Sequence, residues 1–291
     1  MTDPYPADVS VAERLRRQRI RQTLTHLSRT GELPSLPSTA TAALALARSP
    51  DVDTGEVCEL VETDIGLAAR IMRLANSAAY ARRTPARTVR DAVLALGLRK
   101  TCDVLVAACF RRLHTVPGAH TDSLWSHALA VAIATEELAR LTRRIEPGSG
   151  FLPGLFHDVG RIAFLLADPT SVNVIDGLVE AGAGPRADLE REWYGFDHAE
   201  AGAILAADWG LDAAQAEAIR WHQDPLRAEG GRPLALLLSA ADAMAYAIGY
   251  GIGAAQPRLD GLDELGLSTE DEADCATRVQ SAFVEHSELL G

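Results

Sequence analysis

The sequence predicts an all-α protein, and three observations carry that prediction. Apolar residues recur at three- and four-residue spacing along most of the 291 residues, the period of a helix with one inward face. β-Branched and aromatic residues alternate over no long stretch, and aromatics make up only 5% of the chain, so the period-two signature of strands is missing. The periodic runs also carry helix punctuation, such as the Ser-Pro that closes "ATAALALARSP" and the Asp64 that precedes "IGLAARIMRLA".

In chain order, "AERLRRQRIRQTLTHLSR" is an amphipathic helix with Leu15, Ile20, Leu24 and Leu27 inward. Arg14, Arg16, Arg17, Arg19 and Arg21 surround its other face, which is either solvated or a surface for an anionic partner. "GELPSLPSTATAALALARSP" enters a second helix through prolines. "DTGEVCELVETD" and "DIGLAARIMRLANSAAYA" form two more, the second capped by Asp64. "TVRDAVLALGLRKTCDVLVAACFRRL" divides into two at "LGLRK". "HTVPGAHTD" (114–122) is the best domain boundary, and helices resume at "SLWSHALAVAIATEELARLTR". They continue through "GFLPGLFHDVGRIAFLLAD", "DHAEAGAILAADWG", "LDAAQAEAIRWHQDP" and "RPLALLLSAADAMAYAIG". The last stretch, from about "RLDGLDELG", is acidic and predicts one or two short helices.

Composition narrows function. Hydrophobic residues are 47% of the chain, yet no run of about 18 uninterrupted apolar residues offers a membrane span. The beginning lacks a basic-then-apolar export signal. Cys58, Cys102, Cys109 and Cys275 show no CxxC spacing and read as small core residues in a reducing cytoplasm. The net charge of −12 is uneven: residues 1–117 carry 17 Arg/Lys against 12 Asp/Glu, and the remainder 11 against 28. Such an acidic second half argues against nucleic-acid binding there. Lys100 is the sole lysine, which excludes a P-loop.

The chemistry concentrates in that acidic half. "LFHDVGR" (155–161) sets His157 and Asp158 in an apolar run, where neither is easily buried without a partner. His127 sits in the small, apolar "WSHALAVA", His198 opens "DHAEAGAIL", and His222 closes "AIRWHQDP". Asp242, a carboxylate inside "LALLLSAADAMAYAIG", needs hydrogen bonds, a cation or a metal. Imidazole and carboxylate together suit divalent first-row metals. Singly, a histidine on an apolar face is more often a hydrogen-bonded core residue than a ligand, and His157–Asp158 also reads as no more than a buried ion pair. Arg161, one turn beyond His157, is placed to pair with a phosphate. His26, His114, His120 and His286 read as solvent-facing.

The order His127, then His157–Asp158, then Asp242 resembles the HD superfamily of metal-dependent phosphohydrolases. The resemblance is closer to its HDOD branch, the HD-related output domains of bacterial signalling proteins. It spans about residues 28–250, from "LPSLPSTATAALALA" through "GLFHDVGRIAFL" to "AIRWHQDP" and beyond. It implies an N-terminal helical bundle (28–118) packed on an HD-like bundle (119–250), between an amphipathic helix (1–27) and an acidic extension (251–291). It also implies a divalent metal (Fe, Mn, Zn, Ni or Mg) on His127, His157, Asp158 and Asp242, with His198 and His222 as ligands of a second ion. The sequence departs from the HD-GYP phosphodiesterases at Arg161 in place of lysine and at Trp221-His222-Gln223 in place of paired histidines followed by glutamate. "HQDPLRAEGGRP" supplies only flexible Gly and Pro where those enzymes have a Gly-Tyr-Pro loop.

The resemblance therefore implies a cytoplasmic regulatory module that works through signalling partners, retains its metal and hydrolyses little. Arg82, Arg83, Arg87 and Arg90 form either a contact face or a solvated loop. The alternative is a metal-dependent phosphohydrolase acting on a nucleotide or cyclic dinucleotide, with Asp158 bridging ions or orienting water. Neither reading involves a membrane or nucleic acid.

Overall fold

A computed structural model describes residues 11–27, 35–49, 51–77, 80, 84–114, 121–253 and 262–290. Among these residues the chain forms fifteen α-helices, a few short 3-10 turns and no strand. The fold is all-α. It divides into two compact units, one of residues 1–35 and 116–276 and the other of residues 36–115 and 277–291.

The smaller unit contains α2 (Ser38–Arg48), α3 (Thr54–Glu62), α4 (Ile65–Ala75), α5 (Val89–Leu96) and α6 (Leu98–Phe110). The starts of α3, α4 and α5 follow from side chains that satisfy the free N–H groups of a first turn. Asp53 with Glu56 and Thr88 with Asp91 form reciprocal capping boxes. Asp64 accepts from the N–H groups of Gly66 and Leu67, as its position predicts. Gly97 separates α5 from α6 at φ +86°, a left-handed geometry that favours glycine and explains the joint at "LGLRK". From Thr101 to Phe110 every residue of α6 is buried, which makes it the central helix of the unit. Asn76 closes the loop after α4, donating to the Ala86 carbonyl at 3.1 Å and accepting from its N–H at 2.8 Å. Arg82 and Arg83 lie outside the described residues.

The larger unit holds α1 (Val11–Leu27), α7 (Thr121–Thr142), α8 (Phe151–Phe156), α9 (Val159–Ala167), α10 (Pro169–Glu180) and α11 (Arg186–Tyr194). It continues with α12 (His198–Asp208), α13 (Ala213–Arg220) and α14 (Arg232–Ala247). The alanine-rich α7 is buried along most of its length, packed against α8 and α14, while α12 lies on α9 and α13. Close backbone approach makes this possible. A Cβ on Gly154 would stand 2.7 Å from Ala132 Cα of α7, and one on Gly160 only 2.0 Å from the His198 carbonyl oxygen. The glycine of "HDVG" thus lets α9 touch the start of α12.

Four expectations need correction. "GFLPGLFHDVGRIAFLLAD" is two helices, with His157 and Asp158 at the break between α8 and α9. The acidic end forms one long helix, α15 (Thr269–Leu290), because an apolar line through Cys275, Val279 and Phe283 recurs every four residues among the acids. Leu15 is 61% exposed while Ile20 and Leu24 are buried, so α1 docks by its C-terminal half. The side chain of Leu27 lies outside the described residues. His286 is buried, its Nδ1–H donating to the Ala282 carbonyl one turn back; a sequence this acidic gives no hint of an inner face there. Two helices, α10 and α11, occupy a stretch to which the periodicity above assigns none.

Candidate metal centre

The larger unit brings all six predicted side chains together. His127 comes from the middle of α7, His157 and Asp158 from the α8–α9 break, and His198 from the first turn of α12. His222 lies in the turn after α13, and Asp242 on the inner face of α14. All four histidines are at most 1% exposed, with Asp158 at 8% and Asp242 at 7%.

Each histidine is oriented from behind. The Nδ1–H of His127 donates to the Tyr250 carbonyl (2.9 Å), that of His157 to the Gly154 carbonyl (2.7 Å), and that of His222 to the Ile219 carbonyl (2.7 Å). A carbonyl can only accept, so each of these rings carries a proton on Nδ1 and turns its Nε2 inward. His198 Nδ1 is held instead by the Glu190 carboxylate, which also accepts from the His198 backbone N–H at 2.8 Å.

The inward atoms converge. His127 Nε2 stands 3.2 Å from His157 Nε2 and 3.2 Å from Asp242 Oδ1. Asp158 Oδ1 lies 3.3 Å from His198 Nε2 and 3.8 Å from His222 Nε2, while its Oδ2 lies 3.8 Å from His157 Nε2. Donor atoms of His127, His157 and Asp158 fall within 4.8 Å of one another, as do those of His157, His222 and Asp242 and those of Asp158, His198 and His222. Of the buried atoms in this space, His222 Nε2 has no hydrogen-bond partner and Asp242 Oδ1 has none beyond His127 Nε2. Buried acceptors left facing one another are costly unless a cation lies among them.

The electrostatics agree. Burial alone would raise the pKa of Asp158, but His157, Arg161 and His198 outweigh it and hold the carboxylate well below its usual range. Burial likewise opposes ionisation of Asp242, and His127 overcomes it and lowers its pKa. Burial pushes His157 down to about 4, keeping that ring neutral. His127 and His198 run the other way: burial disfavours their charged forms, but Asp242 raises the first and Glu190 the second. The cluster attracts positive charge, and neutral imidazole with ionised carboxylate is the donor set a divalent first-row ion takes.

The centre lies in the wall of a cleft of about 1370 Å³ whose lining includes Arg161, Arg186, Tyr194, Trp221 and Tyr246. Arg161 donates from Nη1 to Asp158 Oδ2 at 3.0 Å and so supports a centre carboxylate while lining the cleft. Gly231 in "HQDPLRAEGGRP" is a packing residue, since a Cβ there would meet the Ala214 carbonyl oxygen at 2.4 Å; the segment is not simply flexible. Sequence reasoning missed Glu190 and Arg186. Both sit on α11, whose "RADLEREWY" carries so many charges that no residue in it signals burial, yet Glu190 is 1% exposed. Arg186 pairs with Asp176 and reaches Glu190 at 3.5 Å, and burial together with the charge of Arg161 lowers its pKa to about 10.

Comparison with known proteins follows the same outline. A curated protein of Treponema pallidum (strain Nichols), described only as uncharacterized, is 26% identical over 208 residues, 71% of this chain. The chain spans 40% of that relative's length. A solved structure from Marinobacter aquaeolei VT8, provisionally named a signal transduction protein, matches with a TM-score of 0.77 at 23% identity, covering 100% of this chain and 68% of the other. One from Shewanella amazonensis SB2B, provisionally named a phosphohydrolase, matches with a TM-score of 0.74 at 25% identity, covering 94% and 98%. The profile of the HDOD domain matches residues 33–225, a segment that takes in five of the six converging side chains, and the chain belongs to the HDOD domain family.

Proposed function

We propose that this chain is a cytoplasmic module of bacterial signal transduction whose HD-type centre holds a divalent metal, binds a phosphate-bearing ligand and turns it over slowly if at all. Its output passes through protein contacts. One observation carries the metal: four histidines are fixed from behind so that their Nε2 atoms face two carboxylates in one buried space, where His222 Nε2 has no partner and Asp242 Oδ1 none beyond His127. His127, His157, His222, Asp158 and Asp242 would hold the ion. Bound there, it would supply Lewis acidity toward a phosphoryl oxygen and acidify a water. The chain's own residues do the rest. Asp158 carries charge on both oxygens toward the histidines, and Arg161 holds Asp158 in place.

The regulatory emphasis is supported by family membership. The complete donor set favours a second reading, a metal-dependent phosphohydrolase acting on a nucleotide or cyclic dinucleotide. Elemental analysis decides the metal. Purified chain is expected to carry a stoichiometric divalent ion, and Asp242→Ala to lose it and to melt lower than the loaded parent. Unchanged metal content in Asp242→Ala would refute the assignment. A panel of phosphoesters incubated with iron- or manganese-loaded protein separates the two readings: robust turnover selects the hydrolase.

A further inference from the structure

The acid side of the centre carries an arrangement that the ligand pattern alone does not reveal. The group Asp158, His198 and His222 has the spacing of a second cation subsite, but the lone pair that His198 would bring to it is already engaged. Gln223, in the turn after α13, places its side-chain Nε2 2.8 Å from His198 Nε2. With the amide N–H toward the ring it donates to that lone pair. With the amide turned about, its oxygen accepts a proton from Nε2. Either orientation ties up the atom a metal would need. The opposite edge of the ring is fixed by Glu190, so His198 cannot rotate to offer its other nitrogen without losing a buried carboxylate contact.

Charge points the same way. Asp158 and Asp242 are the carboxylates among the converging donors, so two divalent ions a few ångströms apart would share two negative charges against their mutual repulsion. A neutral amide at position 223 adds none. We infer that Gln223, by occupying His198 Nε2, restricts the centre to a single divalent ion, so that His198 is a structural neighbour of the metal and not its ligand. This rests on the metal-centre reading above and deepens it: a one-ion centre has no symmetric two-metal clamp for the attacking and leaving oxygens of a phosphoester.

The test counts ions. Manganese(II) titrated into the full chain, with unbound ion read by electron paramagnetic resonance, is expected to saturate at one per chain. Gln223→Glu, which removes the amide N–H donor and adds an anionic ligand with which a cation displaces the Nε2 proton, is expected to take up two, with the broadened spectrum of a spin-coupled pair. Gln223 is half-buried, so substitution there does not open the core. Gln223→Ala, which only frees the lone pair, provides an independent variant and is expected to bind a second ion more weakly. A parent that binds two ions overturns this inference and leaves the metal centre standing. A parent that binds one, with both variants also saturating at one, overturns it as well. A parent that binds none removes the metal reading itself, and the inference with it.

Discussion

Gly160 shows how much one missing methyl group decides at this centre. A Cβ there would sit 2.0 Å from the His198 carbonyl oxygen and 2.9 Å from the Gly202 N, and neither backbone can retreat without moving a histidine. Gly160→Ala is therefore expected to cost about 3 kcal/mol or more of unfolding free energy, as severe overpacking does. Gly177, within α10, provides the contrast: a Cβ there meets nothing within 4 Å. Gly177→Ala is expected to stabilise by about 0.5–1 kcal/mol through helix propensity. Urea denaturation of the two variants reads both signs. At this scale the sequence was informative where chemistry and setting conflict. A histidine-aspartate pair in an apolar run, or a carboxylate within "LLLSAADAMA", announces a hidden partner. Glu190 carried no such signal, because an acid among acids and arginines looks solvated, and only the fold turns it inward.

Among the elements, α1 shows what remains open until helices are placed. Its arginine face reads first as solvated and second as a surface for an anion, and two of its arginines meet anions of this chain's own α12. Arg16 grips Glu200 with two bonds of 2.8 Å, Arg21 pairs in the same forked manner with Asp208, and Ile20 and Leu24 are buried beneath. The apolar anchors dominate. Exposed forked pairs contribute up to about 1 kcal/mol each, whereas truncating a buried leucine costs about 2–5 kcal/mol. Leu24→Ala is thus expected to release α1 to limited proteolysis more than Arg16→Ala with Arg21→Ala does, and only the arginine contribution to weaken in high salt. Burial opposes ionisation of Glu200, but Arg16 and Arg220 outweigh it and lower its pKa. A carboxylate lowered in the folded state contributes stability above its ordinary range and loses it as pH falls through the lowered value, so α1 is expected to loosen only in strong acid. The break at His157–Asp158 escaped periodicity because the apolar positions run straight through it.

For the molecule as a whole, the division into two units makes a metal effect separable. All four tryptophans (Trp125, Trp193, Trp209 and Trp221) belong to the unit that holds the centre, so tryptophan fluorescence follows that unit alone. Chelation is expected to lower its fluorescence-detected melting, since an ion present at a hundred times its dissociation constant adds about 2.7 kcal/mol. Trp221, adjacent to His222, is expected to quench when cobalt(II) enters. Fold class was legible throughout because helical period and caps are local properties. The presence of α11 and the length of α15 were not, since these charged helices present only a thin apolar line to read. The way the histidines are oriented has a consequence for descent. Three of them take their bearing from backbone carbonyls, which no point mutation can delete. A descendant that loses Asp242 would keep three aimed imidazoles, and a single reverted carboxylate would rebuild the chelate, so lineages can shed and recover the metal one codon at a time.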